Sequence, residues 1–281
     1  MKAYRSYEDY DTSASHYDST RSAIGVEILL GVLAASKTRL GDMSILDVGC
    51  GTGNYLAALR PYLKDLIGLE YSTGMLGQAV GKLESADPVH LVRGSAFGLP
   101  FAAQRFDAVM FNQVVHHFDE GGSEPEDFPM LQLALGEAHR VLRPGGTILF
   151  NHSMHRQIRD GFWWMELIPG GMKRLIRRFI PLPALRQLLD NSGFVGHGSA
   201  IPLDAVLQSK GYFDPRSPLD ESWRRGDSVW TLAGDDETRS GLDRLRTMIE
   251  SGSVKAWLDR REELRGEVGQ CVYVWARRSA Q

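Results

Sequence analysis

The sequence is poor in cysteine and carries no large excess of either charge. Its 281 residues include only two cysteines, Cys50 and Cys271, which by themselves cannot form a disulfide framework or a metal cluster. The 32 basic and 35 acidic side chains give a formal net charge of −3, with a pI near 6.2. This balance provides no general electrostatic attraction to nucleic acid.

Long apolar runs are also missing. No stretch approaches the ~18 consecutive apolar residues typical of a membrane-spanning helix. The polar N-terminal region lacks the charged and then apolar pattern of a secretory leader. We therefore expect a soluble, cytoplasmic protein, long enough for one large α/β domain with an insertion or for two modest domains.

The most informative feature that is present is a glycine-rich loop within residues 44–54, SILDVGCGTGN. The apolar start predicts a strand buried on both faces, and the helical spacing after the loop predicts a helix. Gly49, Gly51 and Gly53 let the backbone turn sharply and approach a ligand closely. The spacing is G-x-G-x-G and differs from the phosphate-binding G-x-G-x-x-G. The loop is predicted to hold a cofactor, with an ordinary strand-to-helix turn as the alternative.

A second short apolar strand, residues 65–70, ends in Glu70. Nucleotide-binding sheets place a ribose-binding acid at this spacing after the glycine loop. The carboxylate of Glu70 can accept hydrogen bonds from both ribose hydroxyls. The two features together favour a cofactor that contains a ribose.

At these positions the sequence resembles the class I S-adenosylmethionine-dependent methyltransferases, particularly the type 11 small-molecule group. The resemblance covers roughly residues 1–200, and its strength lies in the order of several short motifs. These motifs are residues 47–53 with Glu70, then 71–76, 94–101, 106–112 and 142–150. One departure is Ser95, where the family usually carries an aspartate that binds the adenine amino group.

The resemblance implies a Rossmann-like, doubly wound α/β fold. Its seven-stranded sheet would be mostly parallel with an antiparallel last strand, and helical lid insertions would be added to it. The cofactor implied is S-adenosyl-L-methionine, with S-adenosyl-L-homocysteine as product. The cofactor-binding residues implied are Tyr17, Arg21, Asp47, Gly49, Cys50, Gly51, Gly53, Glu70, Tyr71, Met75, Ser95, Ala96, Phe97, Asn112, Gln113 and His117.

Patterning along the chain agrees with this organisation. Strand and helix patterns alternate from Ile45 to Phe150, which favours βαβ units. Prolines and glycines then interrupt the chain until a short helix near residues 184–191, a sixth strand after Gly193 and a closing strand within 270–276. We predict an N-terminal cofactor cap and first helix at 1–40, followed by a core region at 41–153. A lid insertion is expected at 154–182 and a helical substrate cap at 204–268. The end of the core sheet would then comprise residues 183–203 and 269–281.

The N-terminal stretch resembles the family's opening pattern of aromatic and acidic residues. Tyr17 and Arg21 are expected to cover the amino-acid end of the cofactor, with Arg21 binding its carboxylate through a charge-assisted pair. Tyr10 is a weaker candidate for the same cap. A frayed polar tail is the alternative interpretation.

Histidines supply the candidate catalytic base. His116 and His117 follow the fourth strand, at the sheet edge where open α/β sheets bind ligands. An imidazole with a pKa near 6.5 can remove a proton from a hydroxyl or ammonium group at about neutral pH. In related methyltransferases one histidine of this pair is assigned that role, and His152, past the fifth strand, is a rival. The alternatives are that these rings only support the loop or contact the cofactor, and no metal site is expected.

The two insertions contribute large apolar side chains to a predicted acceptor pocket: Trp163, Trp164, Tyr212 and Phe213. Simple packing is the alternative for each, although at least one of the two tryptophans is expected to line the pocket. The basic residues within 173–178 suggest a solvated helix face, an acidic acceptor, an anionic membrane surface or an RNA contact.

Three hypotheses for function follow. The first is O- or N-methylation of a small organic acceptor by in-line SN2 displacement (EC 2.1.1.-). The second is methylation of RNA or another macromolecule, and the third is a non-catalytic module that binds S-adenosylmethionine or another nucleotide. The sequence predicts no DNA partner and no transmembrane segment, makes RNA a minor alternative, and leaves the oligomeric state open.

Overall fold

A single seven-stranded sheet organises the chain in the computed structural model, which describes residues 17–18, 21–83, 89–119 and 128–280. The strand order is β3-β2-β1-β4-β5-β7-β6. Strands β1 to β5 pair in parallel, and β7 runs antiparallel to both β5 and β6. The strands are β1 Ser44–Val48, β2 Asp65–Glu70, β3 Val89–Arg93, β4 Phe106–Asn112, β5 Leu142–His152, β6 Phe194–Ala200 and β7 Val272–Arg278. The predicted Rossmann-like fold with an antiparallel last strand is confirmed.

Helices cover both faces of the sheet. Those that connect the parallel strands or precede them are α1 Val26–Ala34, α2 Asn54–Leu59, α3 Thr73–Leu83, α4 Pro129–Val141 and α7 Leu182–Asn191. Further helices lie between β5 and β6, α5 His155–Asp160 and α6 Pro169–Ile176, and between β6 and β7, α8 Glu221–Arg225, α9 Val229–Ala233, α10 Asp235–Glu250 and α11 Val254–Val268. Short 3₁₀ turns cover Leu40–Asp42, Val115–His117, Trp163–Leu167, Ser209–Phe213 and Ser217–Leu219.

Strand β1 is buried along its whole length, and three of its five residues are apolar. All five residues of β1 are buried, and successive side chains point to opposite faces of the sheet. Ile45 packs in a cluster that includes Leu29 of α1, whereas Leu46 packs in a second cluster that includes Leu135 of α4. A strand covered on both faces cannot alternate between apolar and polar residues.

The two insertions pack against each other through aromatic rings. The Trp163 and Trp257 ring centroids lie 5.6 Å apart, and those of Trp164 and Trp223 lie 5.1 Å apart, both edge to face. Such pairs add to the apolar burial of the rings. They join the turn at Trp163–Leu167 to helices α8 and α11.

The added helices follow β5 and β6. Residues 154–182 and 204–268 contain the added helices, while 183–203 and 269–281 include β6 and β7. We propose this division, with 1–40 as the cap and 41–153 as the core. Residues 1–16, and therefore Tyr10, lie outside the described part of the chain.

Candidate functional site

A cleft opens where the strand order reverses, between the carboxyl ends of β1 and β4. Parallel α/β sheets bind ligands at this point because the loops on either side diverge. The cleft, which we call the glycine-loop cleft, has a volume of about 430 Å³. It is lined by Tyr17, Arg21, Ser22, Asp47, Gly49, Cys50, Gly51, Thr52, Asn54, Tyr55, Asn112, Gln113 and Leu207.

The loop between β1 and α2 has the conformation that its glycines predict. Gly49, Gly51 and Gly53 have φ values of 70°, 55° and 80°, a region that residues with a Cβ rarely adopt. The N–H of Gly49 donates to the carbonyl of Leu69 at 2.7 Å, which ties the loop to β2. Gly51 faces open space, since a Cβ there would meet nothing within 4 Å.

Asp47 and Asn112 place two buried oxygen atoms at the floor of the cleft. The Nδ2 of Asn112 donates to Oδ1 of Asp47 at 2.9 Å. Neither Oδ2 of Asp47 nor Oδ1 of Asn112 has a hydrogen-bond partner within the described ranges. Burial raises the pKa of Asp47 to about 7, with the negative charge of Glu70 adding to the effect. A ligand that brings hydrogen-bond donors and positive charge would complete this pair.

Glu70 fastens the glycine loop to the end of β2. Its Oε2 accepts from the N–H of Gly51 at 2.9 Å, and its Oε1 accepts from the N–H groups of Tyr71 and Ser72 at 2.8 Å each. The same carboxylate therefore shapes the loop, although Glu70 itself is not among the residues that line the cleft.

The N-terminal segment crosses the rim of this cleft. Asp18 accepts hydrogen bonds from Thr52 at 2.5 Å and Asn54 at 3.1 Å, and Lys82 pairs with it at 2.6 Å. Tyr17 and Arg21 both contribute to the cleft wall. The predicted cap residues thus lie beside the glycine loop.

The residues predicted for the adenine do not line the cleft. Met75 is buried in α3, Tyr71 is 58% exposed, and Ala96 is buried beyond β3. The Oγ of Ser95 accepts from the N–H of Phe97 at 3.2 Å. These residues follow the carboxyl ends of β2 and β3, next to Glu70, so the sheet gathers them beside the cleft.

A second cavity adjoins the first on the side of the insertions. Its lining combines apolar side chains with a few polar ones, as is usual for small-molecule sites. This histidine cavity is lined by Tyr17, Arg21, Gln113, His116, His117, Ser153, Ile158, Phe162, Met165, Leu175, Phe179, Leu207, Gln208, Gly226, Asp227 and Ser228. Tyr17, Arg21, Gln113 and Leu207 line both spaces.

Gln113 turns the chain from β4 into the histidine cavity. Its φ of 52° is unusual for a residue with a side chain, and such strain often marks functional sites. Two hydrogen bonds to Asn151 hold it there, from its N–H to the carbonyl at 2.9 Å and from Nε2 to Oδ1 at 2.8 Å. This turn leads into the histidine pair.

His116 and His117 form one wall of the cavity. Their ring centroids are 3.9 Å apart, and His116 stacks on Phe179 at 4.3 Å. Burial lowers the pKa of His117 to about 3, helped by the positive charges of Arg178 and Arg21. Burial and the neighbouring His117 likewise hold the pKa of His116 well below 6.5. Both rings are neutral at pH 7.

His152 does not reach the cavity, contrary to its predicted role as a rival base. The ring is completely buried, and its Nε2 lies 2.8 Å from the carbonyl of Ile180, to which it donates. Its position at the end of β5 directs the side chain beneath Phe179, with ring centroids 5.1 Å apart. His152 instead supports the segment that carries Phe179.

Comparison with known proteins agrees with this geometry. Residues 46–150 match the family model described as a methyltransferase domain. A crystal structure of a candidate methyltransferase from an antibiotic biosynthesis pathway of Anabaena variabilis superposes with a TM-score of 0.67, at 24% identity, and the match covers 89% of this chain and 96% of that one. Residues 46–150 thus match a methyltransferase domain, and the chain shares the fold of that crystal structure.

Two further proteins are similar to the domain. The demethylmenaquinone methyltransferase of Lactococcus lactis is 30% identical over 159 residues, which are 54% of this chain and 59% of that protein. The chain thus spans less than two thirds of the length of this curated relative. Phosphoethanolamine N-methyltransferase 2 of Haemonchus contortus, in complex with S-adenosyl-L-methionine, shares the fold at a TM-score of 0.57 and 18% identity, over 100% of this chain and 61% of that one.

The aromatic residues predicted to contact the acceptor lie away from both cavities. Trp163 and Trp164 are 1% and 0% exposed and line neither cavity. Tyr212 is buried, with its hydroxyl donating to Glu262 at 2.9 Å, while Phe213 is 63% exposed. The expectation that a tryptophan would line the pocket is wrong, because both rings are needed between the insertions. Phe162 and Met165, on either side of the pair, line the cavity instead.

Sequence reasoning also missed residues that face the histidine cavity. Asp227 is 4% exposed and pairs with Arg21 at 3.5 Å, and Gln208 is 1% exposed. Both lie in the irregular stretch after β6, where no periodic pattern marks a buried polar side chain. Only the docking of this stretch onto residues 21–22 reveals them.

The described residues also bear on metal binding and on membrane insertion. Within 17–18, 21–83, 89–119 and 128–280, no group of three or more His, Cys, Asp or Glu side chains is arranged to hold a metal ion. Over the same ranges, no helix combines the length and apolarity required to cross a membrane.

Proposed function

We propose that this protein binds S-adenosyl-L-methionine in the glycine-loop cleft. It transfers the methyl group to the oxygen or nitrogen of a small organic acceptor held in the histidine cavity. The observation that carries this proposal is the adjacency of the two spaces, which share four lining residues. A cofactor in one and an acceptor in the other would meet at Gln113 and Arg21.

The polar atoms of the cleft fit the amino-acid end of this cofactor. An ammonium group would satisfy Oδ2 of Asp47 and Oδ1 of Asn112, and its charge would favour the ionised form of Asp47. Arg21, on the opposite rim, would bind the carboxylate by a charge-assisted hydrogen bond. Glu70 would accept from the ribose hydroxyls, with Met75 and residues 95–97 beside the adenine.

When bound, the sulfonium supplies an activated methyl group, so the chain mainly has to position the acceptor and exclude water. Positioning alone can lower a barrier by ~7–11 kcal/mol. His117, neutral at pH 7, can accept a proton or a hydrogen bond from the acceptor. Burial and the positive charges of Arg178 and Arg21 keep this ring uncharged, so that it would meet the acceptor as a hydrogen-bond acceptor.

A small acceptor is favoured by the shape and lining of the cavity. Phe162, Met165 and Phe179 provide apolar contacts, while His116 and Gln208 provide polar ones. The relative from Lactococcus lactis is named for methylation of demethylmenaquinone, which also supports a small-molecule acceptor. The overall charge of −3 gives no support to RNA.

Calorimetric titration of the full chain tests the cofactor. S-adenosyl-L-methionine and S-adenosyl-L-homocysteine should bind, and NAD should not. Preferential binding of NAD would contradict the proposal. A screen of small acceptors with methyl-labelled cofactor then tests transfer, and labelling of added RNA alone would point to a macromolecular acceptor.

Glu70→Ala tests the ribose assignment. The variant should lose ~1–3 kcal/mol of cofactor binding free energy, the usual consequence of removing a partner from a buried polar group. Glu70 also holds three backbone N–H groups, so the melting temperature must be measured in parallel. Glu70→Gln, which preserves the side-chain shape, and Glu267→Gln, at an exposed site, are the controls. Unchanged affinity in Glu70→Ala would show the assignment to be wrong.

A further inference from the structure

The side-chain amide of Gln208 is buried and makes no hydrogen bond to any described residue. Its side chain is 1% exposed and lines the histidine cavity. Neither Nε2 nor Oε1 has a hydrogen-bond partner in the described part of the chain. Buried polar groups are nearly always paired, so a group that is held unpaired at a cavity wall indicates a ligand.

The backbone on both sides of Gln208 is fixed, which holds the amide in place. The N–H of Leu207 donates to Oε1 of the buried Gln270 at 2.7 Å. The carbonyl of Leu207 accepts from the N–H of Ser22 at 3.3 Å. Ser209 follows with a φ of 48°, in the left-handed region. A loop anchored in this way has little freedom to turn the amide toward another partner.

His116 adds a second unpaired atom to the same wall. Its Nδ1 is buried and has no partner within the described ranges, while stacking on Phe179 fixes the ring plane. The lowered pKa keeps the imidazole uncharged. Arg21 and Asp227, which also line the cavity, form an ion pair with each other at 3.5 Å.

The two atoms of the amide restrict the chemistry of the group that can bind. A carboxylate has no hydrogen-bond donor, so Oε1 of Gln208 would stay unpaired and would be repelled by the negative charge. An ammonium has no acceptor, so it would leave Nε2 unpaired. Adjacent hydroxyl groups offer a donor to Oε1 and an acceptor to Nε2 without bringing charge.

We propose that Gln208 selects the acceptor, and that the acceptor is an uncharged molecule with a flat apolar body and adjacent hydroxyl groups. The hydroxyls bind Gln208 and His116, and the apolar body packs against Phe162, Met165 and Phe179. This inference rests on the proposed function, since it describes the acceptor half of that site.

The test uses three probes that share one ring system: 2,3-dihydroxynaphthalene, naphthalene and 2-naphthoate. Their binding to the full chain is measured by calorimetry, with and without S-adenosyl-L-homocysteine. The diol should bind at least about tenfold more tightly than either of the other two, the range expected for a hydrogen bond to a buried polar group. No detectable binding of the diol, equal binding of all three, or tightest binding of the naphthoate would overturn the proposal.

Gln208→Met, which keeps the length but removes both polar atoms, is the decisive variant. It should reduce the preference for the diol over naphthalene to less than about threefold while leaving the melting temperature unchanged or higher, because an unpaired buried amide is lost. Gln187→Met, on the exposed face of α7, is the matched control and should keep the preference.

The opposite pattern would contradict the inference: a lower melting temperature together with an unchanged preference would assign Gln208 a structural role. Because probe binding is measured without methyl transfer, this outcome is separate from failure of the proposed function. That failure would show as absent cofactor binding or absent transfer.

Discussion

Asp47 is a residue at which burial strongly opposes the presence of a charge. The side chain is 1% exposed and accepts one hydrogen bond, from Asn112. Removal from water raises the pKa of its carboxyl group to about 7. Between about pH 4 and pH 7, the carboxyl group of Asp47 is therefore protonated in the native protein and ionised in the unfolded chain, where its pKa is 3.8.

The first prediction concerns the pH dependence of stability. A raised native pKa means that this carboxyl lowers the free energy of unfolding as pH rises from about 4 to about 7. Asp47→Asn cannot ionise, and its Oδ1 can still accept from Asn112. The variant should gain stability relative to wild type between pH 4 and pH 8, by up to ~4 kcal/mol at 1.36 kcal/mol per pKa unit.

Chemical denaturation at pH 4, 6 and 8 measures this gain. Asp243→Asn, at an exposed site on α10, serves as the control and should follow wild type at every pH. If the two variants show the same pH dependence, the carboxyl of Asp47 does not carry the expected native proton.

The second prediction concerns His117. If its ring acts on the acceptor, His117→Ala should lower turnover by about 10²- to 10⁴-fold, the usual contribution of acid–base catalysis, with little change in the dissociation constant of S-adenosyl-L-homocysteine. Because the pKa of His117 is about 3, cofactor binding should show no titration of this ring between pH 5 and 7. Steady-state kinetics and calorimetry provide the two measurements. The exposed His90, changed to alanine, is the control, and equal losses of turnover and affinity would assign His117 to binding.

At the scale of elements, the β1–α2 loop contains two glycines that face different surroundings. A Cβ on Gly49 would collide with the side chain of Val114, whereas a Cβ on Gly51 would meet nothing within 4 Å. Both residues have positive φ. Substitutions at these two glycines can therefore separate two effects: a clash with the protein itself at Gly49, and a clash with a bound ligand at Gly51.

The third prediction follows from this contrast. Gly51→Ala should lose only the ~1–2 kcal/mol of stability that a left-handed conformation costs, but it should bind the cofactor poorly because the methyl group enters the cleft. Gly49→Ala should be the less stable variant, since overpacking adds ~1–3 kcal/mol to the same conformational cost. Denaturation and cofactor titration of both variants check the prediction. Full cofactor affinity in Gly51→Ala would argue against close approach of a ligand to this loop.

At the scale of the whole molecule, the histidine cavity depends on parts of the chain that are far apart in sequence. The hydrogen bond from Ser22 to Leu207 joins residues separated by 185 positions, and Arg21 pairs with Asp227 at 3.5 Å. The side chains of this ion pair are 19% and 5% exposed. The N-terminal segment and the insertion before β7 thus close the cavity together.

The fourth prediction is that Arg21 and Asp227 are energetically coupled. Asp227→Asn removes the negative charge that pairs with Arg21, and removing one member of a buried pair typically costs ~3–5 kcal/mol. In a double-mutant cycle with Arg21→Met, the double variant should lose less stability than the sum of the single variants, with a coupling of about 0.5–3 kcal/mol. Unfolding free energies of the four proteins give the coupling. Strict additivity would mean that the ion pair does not join the segment to the insertion.

The amino-acid sequence by itself determined the sheet and the glycine loop. Apolar strands such as Ile45–Val48, the glycines after them and the acid at the end of β2 are local patterns, because burial on both faces and positive φ each select residue types position by position. The apolar run within 270–276 indicated a strand, and the family resemblance implied that this last strand is antiparallel, as β7 is. It also identified residues 116–117 as lying at the carboxyl edge.

Only the tertiary structure decided what surrounds the histidines. Trp163 and Trp164 pack between the insertions and not in the cavity, His152 turns beneath Phe179, and Gln208 faces the cavity as an unpaired amide. Each outcome depends on how segments distant in sequence dock against one another. This docking depends on the complementarity of extended surfaces from several segments, so it cannot be predicted from any short stretch of sequence.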